Sequence, residues 1–93
     1  MKIQNEINLI LKLFNSNKLE EAKHEIYKVL KKHGESDVLY NLLGAIFAEE
    51  NNLDEAISNY NKSIKINSNY AQAYNNLGIA LHKLNKLDES VDN

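Results

Sequence analysis

Apolar residues return along the chain at intervals of three and four, the spacing that draws one stripe down a helix. Leu39, Tyr40, Leu43, Ile46 and Phe47 make one such stripe, and Leu53, Ala56, Ile57, Tyr60 and Ile64 make the next. Between them Glu49 to Asn52 interrupts the pattern with a polar run too short for anything but the turn of a helical hairpin. Followed along the whole chain, the pattern predicts helices near residues 2–14, 18–33, 37–50, 53–66 and 70–84, and a sixth starting at about Leu87.

The stripes belong to a repeat. Asn17-Lys18-Leu19-Glu20-Glu21-Ala22 returns as Asn51-Asn52-Leu53-Asp54-Glu55-Ala56 and again as Asn85-Lys86-Leu87-Asp88-Glu89-Ser90, each time displaced by 34 residues. Leu9, Leu43 and Leu77 keep the same spacing, as do Leu13, Phe47 and Leu81, and the pairs Tyr40 and Tyr74, Asn41 and Asn75, Gly44 and Gly78. A glycine inside a helix costs about 1 kcal/mol relative to alanine, so Gly44 and Gly78 need a packing reason. Ala22, Ala56 and Ser90 stand near the start of the second helices, where a small side chain facing a glycine lets two axes approach, while Tyr40 and Tyr74 fill the gap between hairpins. Ile10 occupies the glycine position of the first repeat, so that hairpin is expected to open slightly or shift.

An aromatic, then Leu-Gly, then an aromatic or large apolar residue, then a Leu-Asp/Glu-Glu-Ala turn and a second aromatic resembles the tetratricopeptide repeat. The residues that carry the resemblance are Tyr40, Leu43, Gly44, Phe47, Ala56 and Tyr60 in the middle repeat, and Tyr74, Leu77, Gly78, Leu81 and Ser90 in the last. The first repeat departs from the pattern with Glu6, Ile10 and Ile26, and Gly34 and Ser68 replace the proline that usually follows each repeat. The resemblance implies an all-α fold: one domain over residues 1–93, a right-handed superhelical array of antiparallel hairpins. Its repeats would run over about 3–36, 37–70 and 71–93, the last truncated, or about 2.5 repeats.

In such an array the first helix of each repeat lines a concave surface, and the resemblance implies a scaffold that binds a peptide or protein there. On that face fall Gln4, Ile7, Asn8 and Leu11, then Val38, Asn41, Leu42 and Ala45, then Gln72, Asn75, Asn76 and Ile79. Clamping a carboxylate needs charged donors, and Ile7, Leu11, Leu42, Gln72 and Asn76 supply none. An asparagine amide can both donate to and accept from a peptide backbone. Asn8, Asn41, Asn75 and Asn76 are therefore candidates for binding that ignores the peptide's side chains, although Leu42 interrupts the ladder. The alternative is that they are solvated polar residues of an asparagine-rich chain.

The third repeat is expected to lack most of its second helix, because Val91, Asp92 and Asn93 fall in that helix's first turn or two. If Leu77, Ala80, Leu81, Leu84 and Leu87 stayed wet, on the order of 5 to 10 kcal/mol of burial would be lost. Two readings stay open: a piece of a longer repeat protein, or a homo-oligomer that covers Leu77, Leu81, Leu84 and Leu87 with a second copy. An oligomerisation or targeting segment of a larger protein, fused to a transferase domain as this family often is, is the alternative function.

Composition narrows the partners. All eleven basic residues are lysine against 13 acids, a net charge of −2, so no field or guanidinium steers the chain onto nucleic acid. Residues 1–36 carry 7 Lys and 5 acids, residues 37–93 carry 4 Lys and 8 acids, a mild asymmetry. Met1 to Phe14 reads as neither a signal peptide nor a spanning helix, so a cytoplasmic location away from membranes is the default expectation. With no Cys there is no thiolate ligand, and His24, His33 and His82 stand on separate helices or helix ends without a second ligand at helical spacing. Each is expected in a surface or packing role, His82 being the best placed of the three to face a ligand. The acidic pairs Glu20-Glu21, Glu49-Glu50, Asp54-Glu55 and Asp88-Glu89 recur at turns and helix starts, where acids favour the positive helix end. No nucleophile motif or phosphate-binding loop is present, so no enzyme activity and no cofactor are expected.

Overall fold

The computed structural model describes residues 3–92, with side-chain surroundings through Leu87; Ser90, expected as the third small residue, and Asn93 lie outside the described residues in that sense. Five helices follow one another: α1 (Ile3–Asn15), α2 (Leu19–His33), α3 (Asp37–Glu49), α4 (Leu53–Ile66) and α5 (Ala71–Asp92). They stack as antiparallel hairpins, α1 on α2 and α3 on α4, with α2 against α3 and α5 against α4 and the edge of α3. The stack is elongated, 52 × 29 × 18 Å.

Both hairpin turns close in the same way. Asn17 and Asn51 take positive φ, 60° and 62°. Around them the Lys18 N–H bonds the Leu13 carbonyl at 2.9 Å and the Asn17 N–H bonds Phe14 at 3.0 Å; Asn52 to Phe47 (2.8 Å) and Asn51 to Ala48 (3.0 Å) repeat the pair. This crossed pair of bonds satisfies the last carbonyls of a helix and needs a left-handed residue, a conformation that asparagine tolerates better than most. The hairpins are joined through Gly34, whose N–H bonds Leu30 at 2.8 Å, and Ser36, whose Oγ accepts the Leu39 N–H at 3.3 Å and caps α3. At that same end Asp37 receives two bonds from α4 and the residue after it: Ser63 Oγ donates to its carbonyl at 2.8 Å and Asn67 Nδ2 to its carboxylate at 2.9 Å.

The core has two parts. Ile7, Ile10, Ala22, Ile26, Val29, Leu39, Leu43 and Ile46 form one cluster between hairpin one and α3. Leu53, Ala56, Tyr60 and Ala80 form the second, and Phe47 packs against both. The expected close crossing at Gly44 is present: a β-carbon there would meet the Tyr60 ring at 2.6 Å and the Ala56 carbonyl at 3.1 Å. In hairpin one Ile10 fills the same slot, fully buried, and α1 and α2 meet less closely than α3 and α4.

One boundary differs from the periodic expectation. No turn forms at Asn85; α5 continues through it to Asp92 as one helix of 22 residues, so the sixth helix expected from Leu87 is absent among the described residues. The turn sequence closely resembles the two earlier copies. What differs is the surface met beyond it: Leu53 and Ala56 are buried after Asn51, whereas Leu87 is 47% exposed after Asn85.

Candidate partner-binding face

The face expected to bind a partner is built from the odd-numbered helices, α1, α3 and α5. Their residues do not stand on it equally. On α1, Asn8 is exposed and accepts the Gln4 amide at 3.1 Å, and Leu11 is exposed next to it. On α3, Val38, Leu42 and Ala45 are half-buried. Asn41 is buried, 4% exposed, and both ends of its amide are engaged: Oδ1 accepts from Asn76 Nδ2 at 3.0 Å, and Nδ2 donates to the Tyr70 hydroxyl at 3.5 Å. An Asn41 amide free to meet a peptide, as expected from its position alone, is therefore not found. It stitches α3 to α5, and half-buried Asn76 is committed to the same bond. On α5, Gln72, Asn75 and Ile79 are exposed, and Tyr74, Asn75, Gly78, Ile79, His82 and Lys83 line a shallow open groove.

The expected self-association face is also divided. Leu77 and Leu84 are half-buried against the second core cluster and Ala80 is buried with them, because α5 turns that side towards α4. Leu81 and Leu87 remain outward, 48% and 47% exposed. Gly78 beside them has no atom within 4 Å of the place a β-carbon would take, unlike Gly44. Tyr40 and Tyr74 differ for the same reason. Tyr40 is half-covered, with Lys62 of α4 lying 5.5 Å over its ring, and Tyr74 is exposed.

Charged groups knit the repeats rather than gather at a reactive centre. Lys23 reaches from α2 to Glu50 beyond α3 at 2.8 Å and to Glu20 at 2.6 Å, with its ammonium 5.1 Å over the Phe47 ring. Hydrogen bonding to Glu20, then to Glu50, raises its pKa above the ordinary lysine value. Glu6, in the aromatic position of repeat one, instead takes His33 Nε2 at 2.7 Å and Lys32 at 3.8 Å, so an ionic latch holds α1 to the end of α2. His24 and His82 are exposed. Among the described residues no three His, Cys, Asp or Glu side chains gather as metal ligands, and no buried side-chain polar atom lacks a partner. No helix among them is long and apolar enough to cross a membrane.

The repeat geometry agrees with comparison by sequence family: residues 44–85 match a family described as TPR repeat. The matched stretch, 42 of the 93 residues, is similar to the tetratricopeptide repeat. No curated protein is significantly similar to it. Tetratricopeptide repeats are generally protein–protein interaction modules and typically non-catalytic, and the matched segment runs from the Gly44 crossing to Asn85, through the groove on α5.

The signal that Asn41 is structural was present in the sequence only as one asparagine 35 residues before another. Ser63 and Asn67 were missed altogether as the residues that fasten Asp37, since each reads as an ordinary polar position until α4 is laid along α3.

Proposed function

We propose that this tetratricopeptide array is a non-catalytic scaffold, acting in the cytoplasm, that binds a peptide or protein segment along the face made by α1, α3 and α5, the hairpins stacking as a right-handed superhelix. The observation that carries the reading is the bond between Asn41 and Asn76, which holds α3 and α5 side by side while Gln72, Asn75 and Ile79 stay exposed next to it. Those three offer two uncharged amides and one apolar contact. Asn8 and Leu11 add one further amide and one further apolar contact on α1. An amide pairs with a peptide backbone through one donor and one acceptor, so such a face favours extended segments without selecting for charge.

Of the four amides first considered, Asn8 and Asn75 carry the ligand contacts in this reading, and Asn41 and Asn76 hold the platform. The test is a titration of the ¹⁵N-labelled chain with a library of short peptides, followed by the same titration on N75A and I79A. Binding peptides should shift the signals of Gln72, Asn75 and Ile79 and lose roughly tenfold in affinity, about 1.4 kcal/mol, in either variant. Peptides that bind with unchanged affinity to both variants would place the site elsewhere.

A further inference from the structure

We propose that one side of α5, the stripe of Tyr74, Gly78, Leu81 and Asn85, is a second docking surface, and that its occupant is an amphipathic helix of a partner protein laying an aromatic ring over Gly78. A helix turns about 100° per residue, which puts these four positions within an arc of about 60°. Leu77, Ala80 and Leu84, which face α4, are centred about 100° to one side of that arc, and Gln72 and Ile79, the peptide contacts proposed above, about 140° to the other. The stripe is therefore separate from both, and it is open. Tyr74 and Leu81 are each 48% exposed, and Gly78 and Asn85 are exposed between and beyond them. One shallow groove passes Tyr74 and Gly78, the next passes Leu81 and Asn85, and His82 lines both.

The fold itself shows what such a stripe accepts. Tyr40, Gly44 and Phe47 stand 34 residues before Tyr74, Gly78 and Leu81. Against that part of α3 lies α4, with Leu53, Ala56 and Tyr60 turned inward. The Tyr60 ring sits on Gly44, its carbons 2.6 Å from the place of a β-carbon, and the Ala56 carbonyl lies 3.1 Å from the same point. Glycine at this position is thus a seat for a ring carried on a neighbouring helix. At Gly78 the equivalent point has no neighbouring atom within 4 Å.

The seat selects its occupant. A helix that continues the α3–α4 contact needs an apolar residue, a small residue three positions on and an aromatic four after that, the order of Leu53, Ala56 and Tyr60. A second copy of the chain is a poor source. The aromatics among its exposed large apolar residues are Tyr27 and Tyr74. Four positions before them stand Lys23, held by Glu20 and Glu50, and Tyr70, neither of them small. A helix of a different protein, with that spacing, fits.

The experiment is an NMR titration of the full ¹⁵N-labelled 93-residue chain with a synthetic peptide of its own residues 51–67, which carries the required spacing. A lactam from Asp54 to S58K, both exposed positions of α4, holds the peptide helical. Saturable shifts at Tyr74, Gly78 and Leu81 are expected as the peptide rises to about 1 mM. G78A, whose β-carbon meets open space in the free chain, should keep the helical circular dichroism and lose more than roughly tenfold in affinity. A peptide bearing Y60A should lose as much. The proposal is overturned if no saturable shift appears at those residues, or if either substitution leaves the affinity unchanged. Shifts confined to Gln72, Asn75 and Ile79 overturn it while leaving the peptide-binding reading intact, and shifts centred on Gly44 mean that the peptide displaces α4 instead. Two observations without peptide also overturn it: concentration-dependent shifts of the stripe, which make a second copy the occupant, and a nuclear Overhauser contact between Leu81 and Leu87, which means that α5 folds back over its own seat.

Discussion

The Asn76 amide donates to the Asn41 side-chain oxygen at 3.0 Å, across 35 residues of sequence, and is the one side-chain hydrogen bond described between α3 and α5. Asn41 is 4% exposed, so its oxygen has no ready replacement by water. N76A should lower stability by about 1–3 kcal/mol, the range for a buried acceptor left unpaired, with the loss read as a lower urea midpoint. N75A, one residue earlier and exposed, should leave that midpoint within about 0.5 kcal/mol of wild type.

The two repeat glycines should respond oppositely to the same substitution. At Gly44 a methyl group would lie 2.6 Å from the Tyr60 ring, so G44A forces α3 and α4 apart and is expected to destabilise by about 1–3 kcal/mol. At Gly78 nothing stands within 4 Å, and G78A should stabilise α5 by up to about 1 kcal/mol through helix propensity alone. Thermal or urea unfolding at dilute, monomeric concentration measures both.

Asn51 holds positive φ at the turn between α3 and α4. N51A places an ordinary side chain in that conformation and should cost about 1 kcal/mol, while N51G should be neutral or slightly stabilising. The contrast between the two variants, measured by urea midpoint, isolates backbone conformation from any loss of the side chain.

Alkaline solution should destabilise the protein. Burial, with the Glu49 charge adding to it, pushes the Tyr60 phenol from its ordinary 10.0 up to about 12. The folded state thus keeps a proton that the unfolded state releases from pH 10 upward, and stability falls between pH 10 and 12 by on the order of 2 kcal/mol. Lys23 adds in the same direction, since its raised pKa makes its contacts with Glu20 and Glu50 complete below the ordinary lysine value and lost as pH rises through the elevated one. Urea midpoints followed from pH 9 to 12 should drop, and Y60F should flatten part of the drop.

Helix positions and the hairpin stack were legible from periodicity, because each apolar stripe ends up buried: Leu39, Leu43 and Ile46 on α3, Leu53, Ala56 and Tyr60 on α4. The end of α5 was not. Its turn motif reads like the earlier two, yet a turn with left-handed asparagine persists only where the helix beyond it finds a surface to cover, and that is a tertiary condition. The partner face was legible as a set of positions, but not in its division of labour. Whether Asn41 or Asn75 is free depends on how α5 lies beside α3, which local sequence does not report.

Phe47 is the side chain through which the two core clusters touch, and α3 is the helix that contributes to the first while bearing the Gly44 seat for the second. Disassembly can therefore begin at α1 or at α5 without first disturbing the middle, as in other linear arrays whose units lean only on their neighbours. Amide protons of α3 should be the last to exchange with deuterium from either direction, and damage to Phe47 should uncouple the two halves into separate melting steps.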